Sequence, residues 1–506
     1  MVSVLTTSIY LNNQHNDNTA NKVTNTISAD NGDLKINWNR YPTTDIELSE
    51  SLIITESGTY HLTGSLSDGL VTIRAREDGV VRLILDNVTI SNSSGPAIAC
   101  YSGDDLVIEL VGENTLEDGV TYSAEFDEDV TGAIYSKADL TFDGEGSLDL
   151  AANYADGLVG KDDLKINNGN YKITANDDGI RGKDSVYIVD GDFNINAKAD
   201  AIKSTNETDT DKGFVMIENG NYNIVAGAKG IKAINSVLIQ NGNFSLQTYD
   251  DAVHSNNYVG IINGKINITS GDDGIHADRE LIIDGGTITV AKAYEGLEAQ
   301  VVTINNGKIS LTTSDDGINA GGGADASATN RIGASPFAAD ENCVLSINGG
   351  ELYINASGDG VDSNGWLYIN GGNTIVDGPT NNGNGALDSG MGIVMNGGEV
   401  IALGSSGMAE TLGSSSSVFN VSMYFDSQQS AKTKIEIKNS KNETVVSHTS
   451  AKTFSHIAVG SEKFQFGESY TIYLDGEENR NFTISSITTT VGNNNVNQPM
   501  TPPNRR

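Results

Sequence analysis

Paired carboxylates recur through the middle of this sequence in one setting, acid–acid–small–aliphatic. The full copies are Asp177-Asp178-Gly179-Ile180, Asp250-Asp251-Ala252-Val253, Asp272-Asp273-Gly274-Ile275 and Asp315-Asp316-Gly317-Ile318. Partial copies stand at Ala155-Asp156-Gly157-Leu158, Ala199-Asp200-Ala201-Ile202, Ala228-Lys229-Gly230-Ile231, Tyr294-Glu295-Gly296-Leu297 and Gly358-Asp359-Gly360-Val361. Their second positions are separated by 22, 22, 29, 22, 22, 22, 21 and 43 residues. If the copies stack on successive turns of a regular fold, about 4.8 Å apart, facing carboxylates repel by roughly 3.5 kcal/mol at an effective dielectric of about 20. Raised pKa values, basic neighbours or bound divalent cations must offset that. An all-oxygen donor set is the preference of Ca²⁺, so Asp177, Asp178, Asp200, Asp250, Asp251, Asp272, Asp273, Glu295, Asp315 and Asp316 are candidate calcium ligands. The lack of thiolate and paired-histidine ligands disfavours zinc. Asp-Gly is also ordinary turn chemistry, because Asp bonds its own backbone and Gly accepts positive φ. The calcium reading therefore rests on the doubled copies in neighbouring turns.

A second row lies one place beyond the aliphatic position: Val159, Arg181, Lys203, Lys232, His254, His276, Glu298, Asn319 and Asp362. It passes from basic to acidic. Its cations either neutralise the adjacent aspartates or bind a ligand. In the second case Arg181, Lys203, Lys232, His254 and His276 would meet a polyanionic chain such as polygalacturonate through charge-assisted hydrogen bonds. Tyr249 and Tyr294, with Tyr154, stand near the same corner, where they would stack on sugar rings or simply pack.

The elements that must position these rows follow from the same period. Asn-Gly or Asp-Gly turns recur from Asn168-Gly169 to Asn396-Gly397, flanked by alternating apolar runs such as Val237-Leu238-Ile239 and Phe244-Ser245-Leu246, which is the strand pattern. Leu158, Ile180, Ile202, Ile231, Val253, Ile275, Leu297, Ile318 and Val361 all sit two places after the motif's second position. One apolar residue per repeat, in register, predicts an inward ladder in an all-β, right-handed parallel β-helix of ~22-residue coils. No single coil could bury its apolar face alone. The 29-residue step holds the polar stretch Asn206–Asp211, and the 43-residue step holds the Gly/Ala-rich stretch Gly321–Glu341. The pattern is not the nine-residue Gly-Gly-x-Gly-x-Asp calcium repeat.

Composition agrees with this reading. The chain has 57 Gly, 7 Pro, 37% hydrophobic residues and no long helical period. A net charge of −36 argues against nucleic-acid or anionic-membrane partners, and no stretch is apolar enough to span a bilayer as a helix. Cys100 and Cys343 have no metal-site spacing; the sequence neither argues nor excludes a disulfide between them, and the favoured reading is buried free thiols. Four zones are expected: a poorly ordered lead, 1–31; the β-helix, 32–405, with less regular early coils to 150 and regular coils from 151; a small C-terminal β region, 406–491, covering the open end; and a flexible tail, 492–506.

The recurrent Asp-Asp-Gly-Ile turns, the Ile180-Arg181 and Ile231-Lys232 copies and the strand-Asn-Gly-strand coils resemble a family of secreted bacterial carbohydrate-binding β-helices, from about Asp33 through Val491. That family binds polygalacturonic acid and cellulose, carries calcium, and is similar in fold to the family-nine pectate lyases. The resemblance implies a secreted or cell-surface protein that binds without established catalysis; a monomer is expected, with the oligomeric state left open by the sequence. Met1–Tyr10 lacks the features of a signal peptide, so secretion implies a leader outside this sequence. Two alternatives stand beside it. One is a calcium-dependent pectate-lyase-like enzyme with Lys203, Lys232 or Arg181 as base, which needs a lowered pKa or a constrained position. The other is a structural adhesin or stalk stiffened by calcium.

Overall fold

The computed structural model describes residues 38–321 and 339–492. The expectations made for residues 1–31, for most of the Gly321–Glu341 stretch and for the tail from Asn493 fall outside those residues. The described chain is all-β apart from a 3₁₀ turn at Trp38–Arg40, and forms a β-solenoid of about 15 turns. Each regular coil supplies three strands, and each strand pairs in parallel with its counterpart in the next coil. The coil from Ile180 illustrates the unit: Ile180–Gly182, Ser185–Ile188 and Asp192–Ala197.

The first strand row carries the predicted aliphatic ladder. Leu158, Ile180, Ile202, Ile231, Val253, Ile275, Leu297, Ile318 and Val361 occupy one register, which extends to Leu387. All are buried in one core. Backwards the register reaches Ile134, Ile98 and Val71, so the early coils share the solenoid's first row. The third row adds an aromatic stack: Tyr171, Phe193, Tyr222 and Phe244 lie face to face at 5.0, 4.9 and 4.5 Å. Rings stack here because in-register parallel strands put identical positions one strand spacing apart.

The Asn-Gly turns join the second and third rows. Each of these turns has a glycine at positive φ, +126° at Gly220 and +127° at Gly242, and in the Gly-Gly turns it is the second glycine, as +91° at Gly350; a side chain there would be strained. The turn asparagines form their own ladder: the Nδ2 of Asn241, Asn348, Asn370 and Asn396 donates to Asn219, Asn305, Asn348 and Asn370 in the preceding coils at 2.8–3.0 Å.

The C-terminal region closes the solenoid by pairing. Phe454–Ser461 runs antiparallel against Glu399–Gly404, the last strand of the third row, and Asn420–Gln429 pairs with its other edge. The residues before Asn420 cover the last coil, with Leu412 and Val418 in the solenoid core. Within the C-terminal region a four-stranded antiparallel sheet includes Lys434–Asn439 and Ser469–Leu474. Asp377, buried on the outer face of the third row, accepts hydrogen bonds from Tyr353 and the Ala451 amide and pairs with His448. Cys100 and Cys343 are buried and form no disulfide. No helix of the described residues is long and apolar enough to cross a membrane.

Candidate functional site

Each acidic turn precedes a strand of the first row, and the second carboxylate of the motif is turned in against the coil stack. Its Oδ1 accepts the backbone N–H of the equivalent residue one coil on: Asp178 N to Asp156, Asp200 N to Asp178, Lys229 N to Asp200, Asp273 N to Asp251 and Glu295 N to Asp273, all at 3.0–3.1 Å. The series is broken where Lys229 replaces the acid, and Asp251 N turns to Asp250 instead. Half of each carboxylate is thus spent bracing the backbone of the neighbouring coil.

The other oxygen faces the outward row, and the cations there come to it. Arg181 reaches Asp156 at 2.8 Å, and Lys203 lies between Asp178 at 2.7 Å and Asp200 at 3.3 Å. Lys232 approaches Asp200 at 4.0 Å. Lys229 and the Nδ1 of His254 converge on Asp251 at 2.6 and 2.8 Å. His276, fully buried, sets Nδ1 against Asp273 at 3.2 Å and Glu298 at 3.0 Å. Burial disfavours the charged imidazole, but Asp273, Asp278 and Glu298 push His276 well above the ordinary histidine range. Burial pushes Asp178 up to about 6, with Lys203 working against it. Asp251 is held well below the usual carboxylate range: burial opposes this, but His254 and Lys229 prevail.

Lys203 is itself raised, because its two aspartates outweigh its desolvation. A proton-abstracting lysine needs the opposite shift. The cations from Arg181 to His276 are therefore committed to the acidic ladder, which is the neutralising role that the sequence left open.

From Glu295 onward the character changes. Glu295, Asp316, Asp359, Asp362, Asp388 and Glu410 follow along the corner, and none forms an ion pair with Lys, Arg or His among the described residues. Burial raises every one of them: Asp316, Asp359 and Glu410 to about 7 and Asp362 to about 8, with neighbouring carboxylates adding to the shift. Asp388 and Glu295 are raised too. Oε2 of Glu295 and Oδ1 of Asn319 are buried without a hydrogen-bond partner. Asp316 and Asp359 each spend one oxygen on a backbone amide, from Asp359 and Gly385. The remaining oxygens meet no cationic side chain among the described residues, and an oxygen-only group of this kind fits a hard divalent cation. The Asp156–Asp251 stretch fits one less well, because its oxygens are already engaged.

Of the candidate ligands, the structure gathers Asp177 and Asp178 with Asp156, which is not among the candidates, in one group, and Asp250, Asp251 and Asp272 in another, the ligand atoms of each within 4.8 Å of one another. Asp177 is exposed and Asp250, Asp272 and Asp315 are partly so. Asp359, Asp362, Asp388 and Glu410 were not among the proposed ligands. Asp359 and Asp362 follow from the repeat, and Asp388 extends the row one coil. Glu410 comes from the segment after the last coil, and no spacing signals it. Tyr249 is 80% exposed and Tyr294 47%, whereas Tyr154 stacks on Tyr122 at 4.2 Å.

The family model of carbohydrate-binding domain-containing proteins matches residues 49–317. The chain belongs to that family. A carbohydrate-binding domain-containing protein of Acetivibrio thermocellus is 33% identical over 126 residues, covering 24% of this chain and 44% of the relative. The match thus spans less than half of that relative's length. A solved structure described as a polysaccharide lyase-like protein from C. thermocellum, a gadolinium derivative, is similar at 27% identity and a TM-score of 0.40, over 48% of this chain and 96% of that one. The carboxylates from Asp359 to Glu410 lie beyond the residues matched by the family model.

Proposed function

We propose that this carbohydrate-binding domain protein holds an acidic polysaccharide of the polygalacturonate type along the corner that carries the acidic turns, with calcium between the glycan and the protein. The observation that supports this most is the group of half-buried carboxylates at Glu295, Asp316, Asp359, Asp362, Asp388 and Glu410, with which no Lys, Arg or His pairs among the described residues. A divalent ion there would hold them ionised and supply the positive charge that a polyuronate needs. Tyr249 and Tyr294, exposed on the same corner two coils apart, stand about 10 Å apart along the axis by strand spacing and offer ring faces to successive sugars. A secreted or cell-surface location is part of the same proposal.

The reading is one of binding rather than lyase catalysis, because Arg181 and Lys203 are held in ion pairs and the Lys203 amine is stabilised in its charged form. The test is depletion of the protein from solution by insoluble polygalacturonate, in calcium and then in chelator. Depletion that disappears with chelator supports the proposal, and no depletion in either condition overturns it. Unsaturated uronate products appearing during the incubation would instead favour the enzyme.

A further inference from the structure

The third strand row turns a second surface outward, on a face of the coil that none of the acidic turns occupies. Three residues per strand point out. In successive coils they read Asn170, Lys172, Thr174; Asp192, Asn194, Asn196; Asn221, Asn223, Val225; Asn243, Ser245, Gln247; and Lys265, Asn267, Thr269, in continuous register. Carboxamides and hydroxyls dominate this face, on a chain whose net charge is −36. Its charges are few and of both signs, and Lys172 is paired with Asp149 at 2.8 Å.

The amides are ordered by one another. Asn221 donates to Asp192 at 2.7 Å, Asn243 to Asn221 at 2.9 Å, and Asn223 to Asn194 at 3.2 Å. A carboxamide has two donor hydrogens and two acceptor lone pairs, so each ladder bond leaves capacity facing solvent, already oriented. Beneath them the stacked rings of Tyr171, Phe193, Tyr222 and Phe244 give a stiff floor. An open depression of about 650 Å³ runs over this face, from Ser147 to Asn267.

We infer that this amide face is a second glycan site, one that takes an extended chain of an uncharged polysaccharide. Hydroxyl or acetamido groups, each both donor and acceptor, match the unspent capacity of the carboxamides. A polyuronate does not suit the face, since it has no array of cations. A protein partner does not suit it either, since it lacks the buried aromatic and arginine anchors on which such contacts depend, and Val225 is its one large exposed apolar residue. The inference starts from the family's carbohydrate-binding role but is independent of the acidic corner and of calcium.

The test uses the full chain in chelator, with three polymers: amorphous β-1,4-glucan, an N-acetylated β-1,4-glucosaminan and polygalacturonate. Retention by either uncharged polymer is expected, and which one is retained distinguishes hydroxyl from acetamido recognition. Ser245→Glu, which places a charge in the middle of the face, and Asn223→Ala, which removes a ladder amide, are each expected to weaken that retention at least tenfold. Neither should change binding to polygalacturonate measured in calcium, and thermal unfolding checks that both variants are folded. The inference is overturned if neither uncharged polymer retains the wild-type chain, or if folded Ser245→Glu is retained as well as wild type. Failure on polygalacturonate alone would count against the acidic-corner proposal and leave this one standing.

Discussion

At the scale of single residues, the motif aspartates divide their two oxygens between two tasks. Oδ1 of Asp178 accepts the Asp200 amide, and Oδ2 faces Lys203. The amide bond needs only an oxygen, and the ion pair needs the charge, so two substitutions separate them. Asp178→Asn keeps an acceptor for the Asp200 N–H and loses the charge. Asp178→Ala loses both and leaves a buried donor unpaired, which costs about 1–3 kcal/mol. Asp178→Ala is therefore expected to be less stable than Asp178→Asn by about that amount, measured from the midpoints of urea unfolding. Equal midpoints would mean that the carboxylate acts only through its charge. The same division explains why an Asp repeat is retained even where no ion is called for: the side chain is a peg between coils.

At the scale of the element, what matters is how closely one coil's turn approaches the next. A Cβ on Gly220 would stand 2.8 Å from the carbonyl oxygen of Gly191, at a φ of +126°. Gly476, in the C-terminal sheet, has φ +84° with no atom within 4 Å of such a Cβ. Gly220→Ala is expected to cost about 1–3 kcal/mol through backbone strain and more than Gly476→Ala, because only the first adds a collision between coils. Urea midpoints of the two variants check this, and equal losses would remove the collision from the account. These turns, with the row from Leu158 to Val361, were the most legible part of the sequence, because a solenoid repeats one residue environment at one spacing. Side-chain direction was less legible. The 22-residue period places Asp178 beside Asp156 and Asp200, but not which oxygen meets the backbone. Nor does it show that Arg181 and Lys203 lean back onto the aspartates instead of out to a ligand. The link between Phe454–Ser461 and Glu399–Gly404 and the arrival of Glu410 beside Asp388 lie outside the repeat, where spacing carries no information.

At the scale of the whole molecule, the raised carboxyls of the acidic corner and the lowered Asp251 respond to pH in opposite senses. The carboxyls of Asp316, Asp359 and Glu410 lie at about 7 and that of Asp362 at about 8, against about 4 in an unfolded chain. Between those limits the folded protein holds more protons than the unfolded one, so stability falls as pH rises through that window. Asp251 is shifted down, so its contribution is present above the unfolded carboxylate range and is lost on acidification below it. In chelator the protein should therefore be most stable in weak acid and less so at pH 8. A divalent cation competes with protons for the carboxylates from Glu295 to Glu410, so calcium should raise the melting temperature by several degrees at pH 8 and little at pH 5. Thermal unfolding at the two pH values, in chelator and in calcium, measures both effects. The double variant Asp362→Asn/Glu410→Gln removes two of the unneutralised acids. It is expected to melt higher than the parent at pH 8 in chelator and to lose most of the calcium increment. An equal calcium effect at both pH values, or an increment untouched in the double variant, would place the ion elsewhere on the chain. The corner from Glu295 to Glu410 would then be a row of carboxyls kept neutral by protons, and polyuronate binding would have to draw its positive charge from another face.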